Sequence, residues 1–242
     1  MPFPFLSGGL RLPQRLDLPD ADELTSDELA EMTRTEALAV RIAAARALAQ
    51  RGDGRAFPVL LEGLSGRHFR YPSLEGLRFL RDHRAGEPAA KIMNSVFSGA
   101  FERTQAAGVL VALGEPRGGE FLMERLRRRK RDDDRGLAIE LAAEVGLHDA
   151  VPELERIAED RADIFRGAAL KALLALEPRR FERVLCAVAR DEQDDPDVRS
   201  DALEAISRLP GEQPRRAMED ARTSSSAEVS ELAGRLLADR AD

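Results

Sequence analysis

The stretch Val40–Leu64 reads VRIAAARALAQRGDGRAFPVLLEGL. Its first half places small and aliphatic residues on one helical face, because Ala44 and Leu48 are four residues apart. Gly52 then supplies a residue that favours the left-handed conformation found at the end of a helix. Pro58 stands where the first turn of a following helix tolerates proline. The stretch therefore predicts a hairpin of two antiparallel helices.

The same hairpin recurs along the chain with steps of 32, 30, 32, 31, 33 and 31 residues. Position zero of the seven copies is occupied by Arg41, Ser73, Arg103, Arg135, Arg166, Arg199 and Ser230. A small residue follows three positions later in every copy, and a large aliphatic residue follows seven positions later in six of the seven. The fourth copy has Ala142 there, with Leu141 just before it. One hairpin cannot bury its own apolar face, so seven of them predict a stacked array.

These residues carry a resemblance to a known family. Val40–Leu64 resembles the HEAT-like repeat of the phycobilisome-lyase type, and Arg135–Leu154 and Val198–Ile206 are similar. The resemblance covers about residues 26 to 240. It implies an all-α fold, a right-handed α-α solenoid of about seven HEAT-like helical hairpins. In that family the repeat serves as a partner-binding scaffold, in bilin lyases and, in related forms, in hydroxylation or DNA repair, so fold does not fix function.

The repeat pattern predicts one array at residues 26–242, preceded by an N-terminal extended arm at residues 1–25. Apolar residues in the arm alternate with prolines, which forbid a continuous helix. The arm either covers the exposed first repeat or serves as a docking motif for a partner. Thr25 followed by acids predicts that the first helix begins directly after it.

Composition argues against several classes of protein. The net charge of −7 and the acids Asp132–Asp134, which follow the one basic cluster at Arg127–Arg131, argue against nucleic-acid binding. The apolar runs are too short to span a membrane, and the start of the chain lacks the features of a secretory signal. A single cysteine, Cys186, excludes an internal disulfide and favours a core position. We expect a soluble cytoplasmic protein.

No motif predicts a metal, a cofactor or a catalytic group. The histidines His83 and His148 fall two repeats apart, which is too far to share a metal ion, and no phosphate-binding loop occurs. The arginine at position zero is read as structural, because in HEAT-like repeats an equivalent Asp and Arg tie adjacent turns together.

A partner-binding surface is predicted on the helices that carry this arginine, which in the family line the concave side. Positions five and nine of each copy lie opposite the apolar face and should point into the groove. The selected residues are Arg46, Arg78, Asp82, Gly108, Ala112, Glu140 and Glu144. Basic residues come first, small residues next and acids last, so opposite charges would orient a bound partner. The alternative is an ordinary solvated face.

The second repeat departs most from the pattern. His68, Phe69 and Tyr71 stand in a turn where most other copies carry acids, with further phenylalanines nearby. These rings either fill space around an irregular joint or form a recognition site.

These observations predict a protein that is not an enzyme: a non-catalytic scaffold or adaptor that binds another protein, of unknown identity, on its concave face. The alternative is a ligand- or chromophore-handling protein related to bilin lyases. A pocket and a bound small molecule would favour the alternative, whereas an open groove would favour the adaptor. The sequence leaves the oligomeric state open.

Overall fold

The computed structural model describes Leu18 and residues 21–35, 37–128 and 133–239. Most of the predicted N-terminal arm, and the centre of the basic cluster, lie outside these described residues. Within them, every regular element is helical, with fourteen α-helices and three short 3-10 turns. The all-α class is confirmed.

The helices alternate between two kinds, as the repeat predicts. Those that carry position zero are α2 (Leu38–Gln50), α4 (Arg70–Leu80), α6 (Ala100–Ala112), α8 (Asp133–Glu144), α10 (Arg166–Leu176), α12 (Pro196–Ile206) and α14 (Ala227–Ala238). The others are α1 (Ser26–Met32), α3 (Phe57–Gly63), α5 (Gly86–Asn94), α7 (Pro116–Arg127), α9 (Val151–Glu159), α11 (Pro178–Arg190) and α13 (Glu212–Ala221). We call the first set inner helices and the second set outer helices.

The chain divides into two compact units. The first comprises Met1–Arg125 and Asp132–Ala138, and the second comprises Leu126–Arg131 and Ile139–Asp242. In the first unit, α2, α4 and α6 pack side by side, with α3 against α2 and α4, and α5 against α6. In the second unit, α10, α12 and α14 pack in the same way, and α11 packs against α13. A single array over residues 26–242 stays a prediction.

Helix boundaries follow local chemistry. Thr25 caps α1 through a capping box with Glu28, which satisfies two backbone N–H groups at the helix start. Gly52, Gly114 and Gly146 have φ between 71° and 78°, so they end helices in the left-handed conformation. The second repeat has Arg81 at φ 51° in the corresponding turn.

The core follows the repeat pattern. The small residue at position three is buried in all seven copies, which lets neighbouring helices approach closely. The aliphatic residues at position seven are buried in copies one, three, five and six and half-buried in copies two and seven. In the fourth copy both Ala142 and Leu141 are buried. Each fully buried leucine contributes roughly 1.5–3 kcal/mol relative to an exposed one.

Candidate functional site

Arg103 and Arg166, two of the arginines at position zero, close the end of the preceding outer helix. Nε of Arg103 donates to the Met93 carbonyl at 2.8 Å, and Nε of Arg166 donates to the Ala158 carbonyl, also at 2.8 Å. These carbonyls belong to the last turn, where a helix lacks internal donors. Arg166 also pairs with buried Asp194 at 2.5 Å, so it ties one turn between hairpins to the next. The arginine is therefore structural.

In the second repeat a different residue binds a carbonyl near the end of the preceding outer helix. Ser73 occupies position zero and is fully buried, while Arg70, one helical turn earlier, donates from Nε to the Leu64 carbonyl at 3.0 Å. Arg70 Nη1 also contacts Glu102 Oε2 at 3.2 Å. Gly63 leaves room for Ser73, because a Cβ at Gly63 would lie 2.1 Å from the Ser73 hydroxyl. The serine is thus a packing contact between α3 and α4.

The predicted aromatic residues lie at this joint. His68 is exposed in the turn before α4, whereas Phe69 and Tyr71 are half-buried. Phe69 packs close to Gly66, since a Cβ there would lie 3.2 Å from its ring. The structure brings the three side chains to one end of α4, and their role in recognition stays a prediction.

Two of the charged residues predicted to face an open groove are buried. Arg46 is 5% exposed and Arg78 is 6% exposed. Arg46 pairs with Glu75 of the neighbouring helix α4 at 2.5 Å, and the guanidinium of Arg78 lies 4.7 Å from the Phe79 ring centre. The expected open orientation is therefore corrected at both positions. The physical reason is that each long side chain packs against the protein instead of extending into solvent, Arg46 against α4 and Arg78 against the ring of Phe79.

The remaining predicted residues occupy different environments. Asp82 accepts a hydrogen bond from the backbone N–H of Arg84 at 3.0 Å and also binds the Arg84 side chain. Those bonds, the side-chain one first, hold the pKa of Asp82 below its usual range, so this carboxylate is engaged in a turn. Gly108 is buried, so its expected orientation into the groove is also corrected, because α6 packs against both α4 and α5. Ala112 is half-buried in α6. The two predicted acids of α8 are more accessible, with Glu140 half-buried and Glu144 exposed.

A polar cluster that sequence reasoning missed lies between α10 and α12. Lys171 Nζ is hydrogen-bonded to Asp201 and lies 3.3 Å from Glu204 Oε2. Lys171 stands at position five and Asp201 at position two of the next repeat, the same positions that Arg46 and Glu75 occupy. We call Lys171, Asp201 and Glu204 the inner polar cluster.

The inner polar cluster contains a carboxyl group whose pKa is raised. Burial raises the pKa of Asp201, and the charges of Glu204 and Asp197 add to this rise, whereas Lys171 opposes it. The Asp201 carboxylate lies against the α10 backbone, because a Cβ at Gly167 would fall 2.0 Å from its Oδ2. Its side chain is still 28% exposed. A carboxyl group of raised pKa that solvent can reach is suited to exchange a proton or to bind a polar ligand. Among the seven copies, Asp201 is the one aspartate at position two, and this is the only feature of the sequence that sets the cluster apart.

The other reactive candidates are unsuited to chemistry. Cys186 is 3% exposed, and burial raises the pKa of its thiol, which disfavours the nucleophilic thiolate. Among the described residues, no group of three or more His, Cys, Asp or Glu could hold a metal ion. No helix in the described ranges is long and apolar enough to cross a membrane.

Comparisons with known proteins agree with this architecture. Residues 40–66 match the family model described as PBS lyase HEAT-like repeat. The predicted resemblance is confirmed. No curated protein matches the sequence.

One solved structure extends the likeness of the fold over nearly the whole chain. A chain from the complex of CpcE and CpcF of phycocyanin lyase from Nostoc sp. PCC7120 is 18% identical, with a TM-score of 0.51. The match covers 98% of this chain and 99% of that chain. A designed armadillo repeat protein, 15% identical, matches 88% of this chain and 99% of its own at a TM-score of 0.39.

The first of these structures corrects our prediction that the protein is not an enzyme. A chain with this fold belongs to a lyase complex, so an array of helical hairpins does not imply a protein without enzymatic function. The prediction rested on the absence of a recognisable catalytic motif, and it was wrong to treat that absence as evidence.

Proposed function

We propose that this protein handles a chromophore or similar small ligand as a lyase-related subunit that works with a protein partner. The observation that carries the proposal is the fold likeness, over nearly the full length of both chains, to a chain from a phycocyanin lyase complex. The repeat at residues 40–66, which matches the PBS lyase HEAT-like model, supports the same proposal.

The inner polar cluster supplies the chemistry that such a role needs. A conjugated ligand with ring N–H groups and carboxylates would find acceptors at Asp201 and Glu204 and a donor at Lys171. These groups lie on adjacent inner helices, and α10 and α12 hold them through the packing of their opposite faces. Rigid helices fix such groups more precisely than loops do.

A binding measurement tests the proposal. The purified chain is titrated into a linear tetrapyrrole, and the absorption spectrum of the chromophore is followed. We expect a spectral shift that saturates, because immobilisation changes the conformation and the surroundings of the conjugated system. No shift at the highest attainable protein concentration would contradict ligand handling.

A matched pair of variants locates the site. Asp201→Asn with Glu204→Gln removes both carboxylates of the inner polar cluster and should weaken binding by about tenfold or more, as expected for lost charge-assisted hydrogen bonds. Glu212→Gln with Asp220→Asn removes the same two residue types from the outer helix α13, where both are exposed, and should leave binding unchanged. Equal effects of the two pairs would place the ligand elsewhere.

A second candidate function is protein binding, which the exposed apolar residues Val96 and Phe97 favour. They are 83% and 87% exposed at the turn between α5 and α6.

Of the residues predicted for the concave face, Glu144 is the exposed one. Glu144→Lys should therefore alter capture of a partner that uses this face, and an unchanged set of captured proteins would count against it.

A further inference from the structure

The turn between α5 and α6 exposes two large apolar side chains, and hydrogen bonds hold its backbone. The Phe97 N–H donates to Ser95 Oγ at 3.2 Å, and the Gly99 N–H donates to Glu102 Oε2 at 2.9 Å. Val96 and Phe97 lie between these bonds and are almost fully exposed. Exposing two large apolar side chains to water does not stabilise the isolated chain, so the turn is suited to contact another surface.

The turn before α4 extends the same surface. Glu102 Oε2, which accepts from Gly99, also contacts Arg70, and Arg70 in turn holds the Leu64 carbonyl. Residues 64–69 and 95–99 therefore lie side by side. Neither turn contains an acid, whereas Arg67 and His68 are exposed. An exposed Lys91 in the last turn of α5 adds to the positive charge. We call Arg67, His68, Lys91, Val96 and Phe97 the aromatic edge.

The corresponding turns of the second unit have the opposite character. Residues 160–165 and 191–195 contain one arginine and six acids, of which Asp194 is buried and paired with Arg166. Arg161 joins the two turns through Asp191 at 2.7 Å. Ile164 is 56% exposed in the first of these turns. Asp160 in the same turn and Asp195 in the second turn are exposed as well. We call residues 160–165 and 191–195 the acidic edge.

We propose that the aromatic edge of one copy of this chain docks on the acidic edge of a second copy. The two surfaces are complementary in charge, and both contain exposed apolar side chains, a combination that is common in protein interfaces. The occupant is inferred from the chain itself, since the acidic edge supplies the chemistry that the aromatic edge would bind. This contact is independent of ligand handling by the inner polar cluster.

The contact joins different surfaces of the two copies. It therefore produces either a closed dimer with two such contacts or a longer assembly with one contact between successive copies. Sedimentation velocity over a range of concentrations should show association above the monomer mass in either case. Raising the salt from about 0.05 M to about 0.5 M should weaken association, because exposed charges are then screened. A chain that stays monomeric at all concentrations would overturn the proposal.

Variants test whether the proposed surfaces are used. Val96→Ser with Phe97→Ser should raise the dissociation constant by about tenfold or more, since it removes the apolar centre of the aromatic edge. Val184→Ser removes an exposed valine from the outer helix α11 and should change nothing. Association that survives the double substitution would overturn the proposal. Unchanged circular dichroism melting of each variant would show that the fold is intact.

A mixing experiment tests the pairing of unlike edges. Ile164→Ser with Asp160→Asn disables the acidic edge, and Asn keeps an acceptor for the Ala162 N–H, which Asp160 binds at 3.0 Å. Each double variant alone should be mainly monomeric. A mixture of the two should form a mixed dimer in native mass spectrometry, because each variant retains the edge that the other lacks. Absence of the mixed species, when the unaltered chain associates, would refute the pairing.

Discussion

Gly118 lies where outer helix α7 crosses inner helix α6, and the structure predicts that alanine cannot replace it without cost. A Cβ at this position would lie 2.5 Å from the Ala107 carbonyl oxygen and 2.9 Å from the Val111 nitrogen. It would also lie 2.8 Å from Leu110 Cβ. None of these atoms moves by a simple side-chain rotation, so the two helices must separate.

The expected loss can be worked from two opposing effects. Overpacking of this kind costs up to about 3 kcal/mol. Alanine is favoured over glycine inside a helix by about 1 kcal/mol, which offsets part of the loss. We therefore expect Gly118→Ala to lower the free energy of unfolding by about 2 kcal/mol, and Tm by about 4–8 °C for a chain of this size.

Circular dichroism at increasing temperature measures the effect, and Gly234→Ala provides the control. Gly234 lies inside α14, and a Cβ there meets no atom within 4 Å. The control should raise Tm by roughly 2–4 °C from helix propensity alone. If Gly118→Ala were neutral or stabilising like the control, the close approach of α6 and α7 would be wrong.

Three further predictions follow from the ion pairs and the exposed turn. Glu75→Gln should lower the free energy of unfolding in urea denaturation by about 3 kcal/mol, because it removes a carboxylate that pairs with buried Arg46, and adding Arg46→Met should recover part of that loss. Asp201 has a raised pKa, so the folded chain binds its proton more readily than the unfolded chain does. The free energy of unfolding should therefore fall as pH rises from the usual aspartate pKa towards the raised one, and Asp201→Asn should flatten this slope in denaturation curves recorded at several pH values. Val96→Ser with Phe97→Ser should change stability by less than about 0.5 kcal/mol, and a larger loss would show that these side chains support the fold.

Much of the fold could be predicted because the repeat pattern records the core directly. A small residue at position three and an aliphatic residue at position seven reflect the close approach of helices and the filling of the space between them, and both are visible in one sequence. The glycine that ends a helix can also be predicted from one sequence, because the requirement concerns only the φ angle of that residue. The left-handed conformation of Arg81 could not be predicted in this way, because non-glycine residues rarely adopt it.

The inner surface was predicted less well, because a helical wheel describes one helix without its neighbours. Position five lies opposite the apolar face of its own helix, and the wheel therefore places Arg46 in solvent. In the array, the next inner helix lies alongside, and Arg46 extends across it to reach Glu75. Long side chains bury their stems in this way while satisfying their charge.

The same geometry explains why the inner polar cluster could not be recognised from the repeat pattern. Arg46 with Glu75 and Lys171 with Asp201 occupy equivalent positions, so by pattern alone both are structural ion pairs. They differ in what surrounds them. The second pair has Glu204 beside it, and the extra negative charge adds to the effect of burial on the pKa of Asp201. Two ion pairs at equivalent positions of the repeat can therefore differ in their electrostatic surroundings, because burial raises the pKa of Asp201 and Glu204 adds to this rise, and neither effect follows from the period.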